Sequence, residues 1–266
     1  MKFGIIILII YETILMKIGS EIMIRYYCSG FDANNAFGHG LGDMFKTELR
    51  DTKSIVYIPG SPEKIEKAKT KYIPVFTNHF KNVGIEFDEV NLITTNLKSD
   101  EAKEIIKNAS FIMLMGGNPF KQKEMCEKLG ILEELKRYNG IMVGFSAGAM
   151  LMSKYIIITP CNEEYPDFHV EDGLNFDGLS IYPHNNTFEE NYPDTLVVGD
   201  ETYQKKDLIQ VAKKYGKFFL LQDNGIDISI IKSSNGNIEF YIENDGKIWE
   251  VSDEITLVFK NQCKKK

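Results

Sequence analysis

An α/β fold, a mostly parallel sheet with helices on both faces, is predicted by three observations. From Met23 to about Tyr155, short apolar runs alternate with amphipathic stretches. Two of those runs, Ser110–Met115 and Gly140–Gly144, are apolar almost throughout, the pattern of strands covered on both sides. Beyond Tyr155 turn signals multiply and helical pattern thins out, so extra C-terminal hairpins are expected.

Met23–Cys28 reads as the first strand, followed by a Gly/Asn-rich loop holding Ser29-Gly30 and Gly38-His39-Gly40. Ser54–Ile58 is a second strand ending at Pro59-Gly60. Ser61 reads as a helix N-cap with Pro62 at the first helical position, opening a helix to about Lys81. Gly84–Val90 is a third strand, and Ser99 caps a short helix over Asp100–Asn108 whose first-turn acids suit the helix dipole. The Ser110–Met115 strand closes on Gly116-Gly117-Asn118. Phe120–Tyr138 is helical with a break at Gly130, and Gly140–Gly144 is the next strand. Later strands are expected at Ile156–Thr159, Phe218–Leu221, Ile226–Ile231, Ile238–Ile242 and Ile248–Val251, with one helix near Thr202–Tyr215. Asn235-Gly236 and Asp245-Gly246 are hairpin signals. With no repeat or long linker, 23–260 reads as one domain and 261–266 as a basic tail.

Composition narrows the function. The 266 residues carry 31 basic against 38 acidic side chains, a net charge of −7, which argues against nucleic-acid binding. The arginines are Arg25, Arg50 and Arg137, a short supply for gripping carboxylates by bidentate forks. Cys28, Cys126, Cys161 and Cys263 are widely spaced, so neither a zinc ribbon nor a disulfide framework is expected, and free thiols in a cytoplasmic protein are. The apolar run Gly4–Ile10 is interrupted by Glu12 and Lys17 and is too short to span a membrane, which needs about 20 apolar residues. No membrane partner is therefore expected. Met1–Ile22 reads as an N-terminal extension or as the product of an upstream start, with Met23 opening the first strand.

The sharpest chemical signal is Gly144-Phe145-Ser146-Ala147-Gly148-Ala149, between an apolar strand and a short helix over Ala147–Lys154. This is the strand–turn–helix context of a G-x-S-x-G nucleophile elbow, with the Ala147 amide facing a developing oxyanion. A serine needs a base, and the histidines are His39, His79, His169 and His184. His79 falls in the helix after Pro62, where packing or a surface role is expected. His39 lies between glycines in a loop, and His169 lies in the acidic stretch Glu163–Asp172. His184 follows Ile181-Tyr182-Pro183 at the end of a short extended segment and is the best base candidate. It lies 38 residues past the serine with 82 residues after it, unlike the C-terminal histidine of an α/β-hydrolase esterase. An order Ser, His, acid fits better. Phe218–Leu221 delivers Asp223 at a strand's C-terminal end, where α/β sheets place their chemistry, and Glu163 or Glu164 are competing acids.

These residues resemble the peptidase E (aspartyl dipeptidase) family of serine peptidases. Gly116-Gly117-Asn118-Pro119-Phe120 is similar to that family's G-G-N-x-F, Gly144–Ala149 to its G-x-S-A-G-A, and Pro183-His184 to its P-H. Asp223 falls where the family carries its acid, and the similarity covers roughly Met23 to Tyr241. The resemblance implies a flavodoxin-like sandwich related to class I glutamine amidotransferases, with Ser146 as nucleophile, His184 as base and Asp223 as orienter. It implies an oxyanion hole of the Gly117 and Ala147 amides, substrate contacts at Gly116, Asn118 and Asn185, and no cofactor or metal. The partner it implies is a small peptide, and the protein is expected as a monomer or homodimer. No arginine lies between Asn185 and Gln222 to hold an acidic substrate, though Lys205 or Lys206 could serve as point charges. A cyanophycinase-like peptidase and a binding module without turnover are the alternatives on the same fold.

Overall fold

Consecutive side chains along the central strands point to opposite faces of the sheet, and both faces are apolar. Ile24, Tyr26 and Cys28 join one buried cluster with Ile55, Tyr57, Phe111, Met113, Ile141, Val143 and Phe145. Tyr27, Val56, Ile58, Ile112, Leu114 and Met142 join another on the opposite side. This period of two, with no polar face, is what a doubly covered parallel sheet requires. The computed structural model describes residues 23–31, 37, 40–159, 167–187, 195–198, 201–223 and 225–260, with backbone alone for 184–187, 195–198 and 201–205.

In chain order the elements are β1 (Ile24–Cys28), α1 (Leu41–Glu48) and β2 (Ser54–Gly60), then a helical stretch in four pieces. These are a 3-10 turn (Pro62–Lys64), α2 (Ile65–Lys67), a π turn (Ala68–Tyr72) and α3 (Ile73–Asn82). Next come β3 (Glu89–Leu92), α4 (Ser99–Lys107), β4 (Phe111–Gly117), α5 (Pro119–Leu129), α6 (Leu132–Arg137), β5 (Ile141–Phe145) and α7 (Ala147–Met152). The remainder is β6 (Tyr155–Ile158), β7 (His169–Asp172), β8 (Ile181–Thr187), β9 (Thr195–Val198), β10 (Glu201–Gln204), α8 (Lys205–Tyr215) and β11 (Phe218–Gln222). It ends with β12 (Ile228–Ser234), β13 (Asn237–Glu243), β14 (Lys247–Val251) and β15 (Ile255–Lys260).

The main sheet runs β13-β12-β1-β5-β4-β2-β3. From β1 to β3 every pairing is parallel, and β12 and β13 extend the edge antiparallel. Leu41, Phe45, Phe76 and Phe80, from α1 and α3, cover one face. On the other lie residues of α4 to α7 together with Ile181, Phe219, Leu221 and Ile248 of a second sheet. That sheet runs β10-β9-β8-β11-β14-β15, and Leu208, Val211 and Ala212 of α8 cover its far side. The expected α/β class, with extra C-terminal strands, is the architecture observed. Among the described residues no helix is long and apolar enough to cross a membrane.

Several local expectations are corrected. The third strand begins at Glu89 rather than Gly84, because Gly84 and Ile85 bond back to Lys81 and Phe80 at 2.9 Å and close the end of α3. Lys98, not Ser99, occupies the N-cap of α4, and the Ser99 hydroxyl donates to the Leu129 carbonyl at 2.7 Å instead. Residues 202–204, expected to open a helix, belong instead to β10, and the helix begins at Lys205. The strand expected at Ile226–Ile231 is β12, shifted to Ile228–Ser234, and Ile226 is exposed. His169 belongs to β7, where its Nε2 meets Glu171 Oε1 at 2.8 Å, rather than to an unsupported acidic stretch.

Asn235-Gly236 does form the hairpin between β12 and β13, with φ of 49° and 83° as a type I′ turn needs. Asp245-Gly246 does not. The strands on either side of it, β13 and β14, belong to different sheets, so the chain turns a corner there. Gly246 accordingly passes so close to the Ile228 carbonyl that a Cβ would overlap it. His39, Cys161, Cys263, Glu163 and Glu164, with 1–22 and 261–266, lie outside the described residues.

Candidate active site

Three strand ends meet at the C-terminal edge of the parallel sheet. At the end of β5 the chain reverses into α7 through Ser146, whose φ of 51° and ψ of −111° are unusual for an L-residue. Such a conformation costs about 1–3 kcal/mol and persists only where its surroundings enforce it. Here the Ser146 amide donates to Cys28 O at 3.0 Å and its carbonyl accepts from Met150 N at 3.0 Å, fixing the turn from both sides. The flanking glycines have a packing reason. A Cβ on Gly144 would lie 2.5 Å from Ala149 N, and one on Gly148 would overlap the Leu114 carbonyl. Without side chains at both positions, α7 can lie directly on β4 and β5.

At the end of β4, Gly117 has φ of 145°, and a Cβ there would stand 2.5 Å from Gly60 C. The ends of β2 and β4 therefore touch backbone to backbone, which only glycine permits. Asn118 N then donates to Gly60 O at 2.7 Å. Asn118 Oδ1 accepts from Phe120 N and Lys121 N at 2.9 and 3.1 Å, so this side chain caps α5. Pro119 is buried at the first position of that helix, where a missing N–H costs nothing. Asn118, expected at the substrate, thus holds the turn that presents Gly116-Gly117, and it does not line the cavity beside Ser146.

At the end of β11, Asp223 Oδ1 accepts from Gly225 N at 2.9 Å, and its backbone bridges to Ile228. Gly30 passes so close that a Cβ on it would overlap the Asp223 carboxylate. Ser29 ties this corner together. Its hydroxyl donates to Gln222 O at 2.7 Å and accepts from Ser229 N at 3.1 Å. His184 lies on β8, which pairs in parallel with β11. Tyr182 is opposite Leu220 and Asn185 is opposite Gln222, so the register slips by one residue at Pro183-His184. A slip of this kind changes the direction in which a strand presents a residue. The side chains of His184 and Asn185 lie outside the described residues.

Ser146, Gly116, Gly117, Asp223 and Gly30 line one cavity of about 430 Å³, within the range of small-ligand sites. Gly60, Ser61, Lys64, Lys67 and Tyr72 line it too and were not expected from sequence. Pro59-Gly60-Ser61 does end a parallel strand, which is the one signal that pointed there. His79 is buried against Phe31 and Phe37, with ring centroids 6.0 and 5.3 Å away, in the packing role expected of it. Burial and the charge of Glu243 push the Cys28 thiol well up, so this sulfur beside the Ser146 turn is an inert core residue.

Comparison with known proteins adds four findings. The model of peptidase family S51 matches residues 28–216. A peptidase E of Nostoc sp. strain PCC 7120 is 24% identical over 169 residues, covering 57% of this chain and 64% of that protein. The solved structure of a candidate peptidase E from Listeria monocytogenes EGD-e aligns over 84% of this chain and 100% of its own, with a TM-score of 0.56 and 16% identity. That of a peptidase from an acI-B1 Actinobacterium aligns over 91% and 96%, with a TM-score of 0.57 and 16% identity. At such identities the two structures speak to fold alone.

Proposed function

The chain belongs to peptidase family S51, and from that membership we propose that it is a serine-type peptidase hydrolysing dipeptides or other short peptides. The observation that carries this is the forced backbone of Ser146 at the sheet's C-terminal edge, sharing one cavity with Gly117 and Asp223. Ser146 Oγ attacks the scissile carbonyl while His184 takes its proton. The negative charge that develops on the carbonyl oxygen is met by the amides of Gly117 and Ala147. The C–N bond then breaks, His184 returns the proton to the departing amine, and the acyl group stays on Ser146 as an ester. Water activated by His184 clears that ester, releasing the acid and restoring the serine. Asp223, one residue beyond the strand hydrogen-bonded to β8, orients the imidazole.

The test is a dipeptide panel assayed with the wild type and the Ser146→Ala variant. Hydrolysis lost in the variant supports the reading. Turnover of every cleaved peptide retained in the variant removes Ser146 as the nucleophile, and a folded wild type that neither hydrolyses any peptide nor is labelled at Ser146 by an activated serine-directed probe favours a binding module instead.

Gly30→Ala tests the placement of Asp223. The added methyl overlaps a flexible carboxylate end rather than backbone, so the melting temperature is expected to stay within a few degrees. A displacement of Asp223 by about an ångström lowers kcat/KM by about 10- to 100-fold. An unchanged kcat/KM would remove Asp223 from the mechanism and return Glu163 or Glu164 to consideration.

A further inference from the structure

The cavity beside Ser146 has two zones of opposite chemistry. Its floor is apolar and buried, with Phe76, Phe145, Met115 and Ala68 all at most 4% exposed. Phe31 packs over this floor, its ring centroid 4.8 Å from Phe76 and 5.3 Å from Phe145. The rim is cationic and exposed. Lys64 and Lys67 line it, and Lys67 Nζ and Lys71 Nζ stand 5.3 and 5.8 Å from the centre of the Tyr72 ring. The Tyr72 phenol registers this field. It is held below its ordinary pKa by a hydrogen bond from Lys67, then, against a small burial effect, by the charges of Lys67, Lys71 and Lys64. The acids on the same stretch are engaged elsewhere, Glu63 with Lys121 at 3.5 Å and Glu66 with Lys69 at 3.1 Å.

We propose that this cavity receives the C-terminal residue of the peptide substrate, an aromatic or large aliphatic amino acid whose free α-carboxylate lies against Lys64 and Lys67. The proposal rests on the peptidase reading above. An N-terminal residue would bring an α-ammonium to a rim of lysines, where like charge repels it. An aspartyl side chain would satisfy the lysines but leave the phenylalanine floor uncovered by apolar surface. A C-terminal apolar residue supplies both groups at once, a hydrophobic side chain and a carboxylate one atom from it. Asp223, in the wall of this cavity, ends the strand paired with the one that carries His184. On the peptidase reading, a residue seated beside Ser146 and Asp223 is the one whose amine departs as a free amino acid.

The experiment measures kcat and KM of the full chain on Ala-Phe, Ala-Leu, Ala-Lys, Asp-Ala and Ala-Phe amide. Ala-Phe and Ala-Leu are expected to exceed Ala-Lys and Asp-Ala by about tenfold or more in kcat/KM, with the amide raising KM about tenfold. The double variant Lys64→Ala/Lys67→Ala should raise KM for Ala-Phe about 5- to 10-fold at unchanged kcat and leave the amide unaffected. Lys64→Arg/Lys67→Arg should restore the KM. A preference for Asp-Ala, or an equal effect of the double alanine variant on acid and amide, overturns the proposal. If the wild type hydrolyses no peptide, the peptidase reading fails, and the cavity is decided separately by NMR titration. Binding of N-acetyl-phenylalanine but not its amide, lost in the double alanine variant, upholds a carboxylate-and-apolar site. Equal binding of both, or binding of neither, overturns it.

Discussion

Replacing Ser146 with alanine is expected to lower peptide hydrolysis by at least about 10⁴-fold, the scale on which removing a nucleophile acts. Replacing it with glycine should abolish hydrolysis equally but change stability differently. Alanine retains a Cβ, so it inherits the conformation of φ 51° and ψ −111° with its cost of about 1–3 kcal/mol. Glycine adopts that conformation freely but loses about 0.5–1 kcal/mol through the greater entropy of its unfolded chain. The glycine variant should therefore unfold at a higher denaturant concentration than the alanine variant, by roughly 1 kcal/mol. Urea titration of both variants makes the comparison. If alanine were the more stable, the turn would carry no strain, and the strongest local sign of a functional serine would be gone.

The contrast between Asn235-Gly236 and Asp245-Gly246 shows how far sequence reaches in this fold. Both pairs are equally good turns, and local chemistry cannot tell which partners the flanking strands will take. β13 and β14 part because each finds its partner elsewhere, β13 beside β12 and β14 beside β11. The central strands were legible because two apolar faces leave a continuous hydrophobic run, whereas β10, Glu-Thr-Tyr-Gln, carries no such run. β15 is half-exposed, its burial alternating along Ile255–Lys260. At the site, Ser146, Gly116-Gly117 and Asp223 could be read because they sit at strand ends next to glycine turns. Gly60, Lys64 and Lys67 could not, because their importance arises from the close approach of β2 to β4 and from a helix whose register includes a π turn. Asn118 was legible as a residue, but its capping of α5 was not named from the sequence. An Asn before a proline and ahead of a helical run is as good a cap as it is a ligand.

The largest loss of stability is expected at Asp177. Its carboxylate is nearly buried beside Arg25, with side chains 8% and 4% exposed and Arg25 Nη1 at 3.6 Å from Oδ1. Tyr27 donates to Oδ2 at 2.6 Å, Ser233 donates to Oδ1 at 2.7 Å, and the guanidinium lies 4.5 Å over the Phe176 ring. Burial lowers the pKa of Arg25, and Asp177 counters that shift by favouring the charged form. Truncation to alanine leaves a guanidinium in the core with its countercharge gone and two hydroxyls without their acceptor. An uncompensated buried charge of this kind costs about 3–5 kcal/mol. Arg25→Met should cost less, because Asp177 then keeps both hydroxyl donors and the methionine still packs on Phe176. The order Asp177→Ala far below Arg25→Met in urea midpoint is the measurement that checks the argument. Equal midpoints would mean that the ion pair, not the carboxylate's hydrogen bonds, holds the corner. Asp177 lies on the segment between β7 and β8 and fastens it to β1 through Tyr27 and to β12 through Ser233. Since β8 carries His184, the base of the proposed mechanism, substitution at Asp177 should also lower activity at temperatures well below the unfolding midpoint, as that strand loses its anchor.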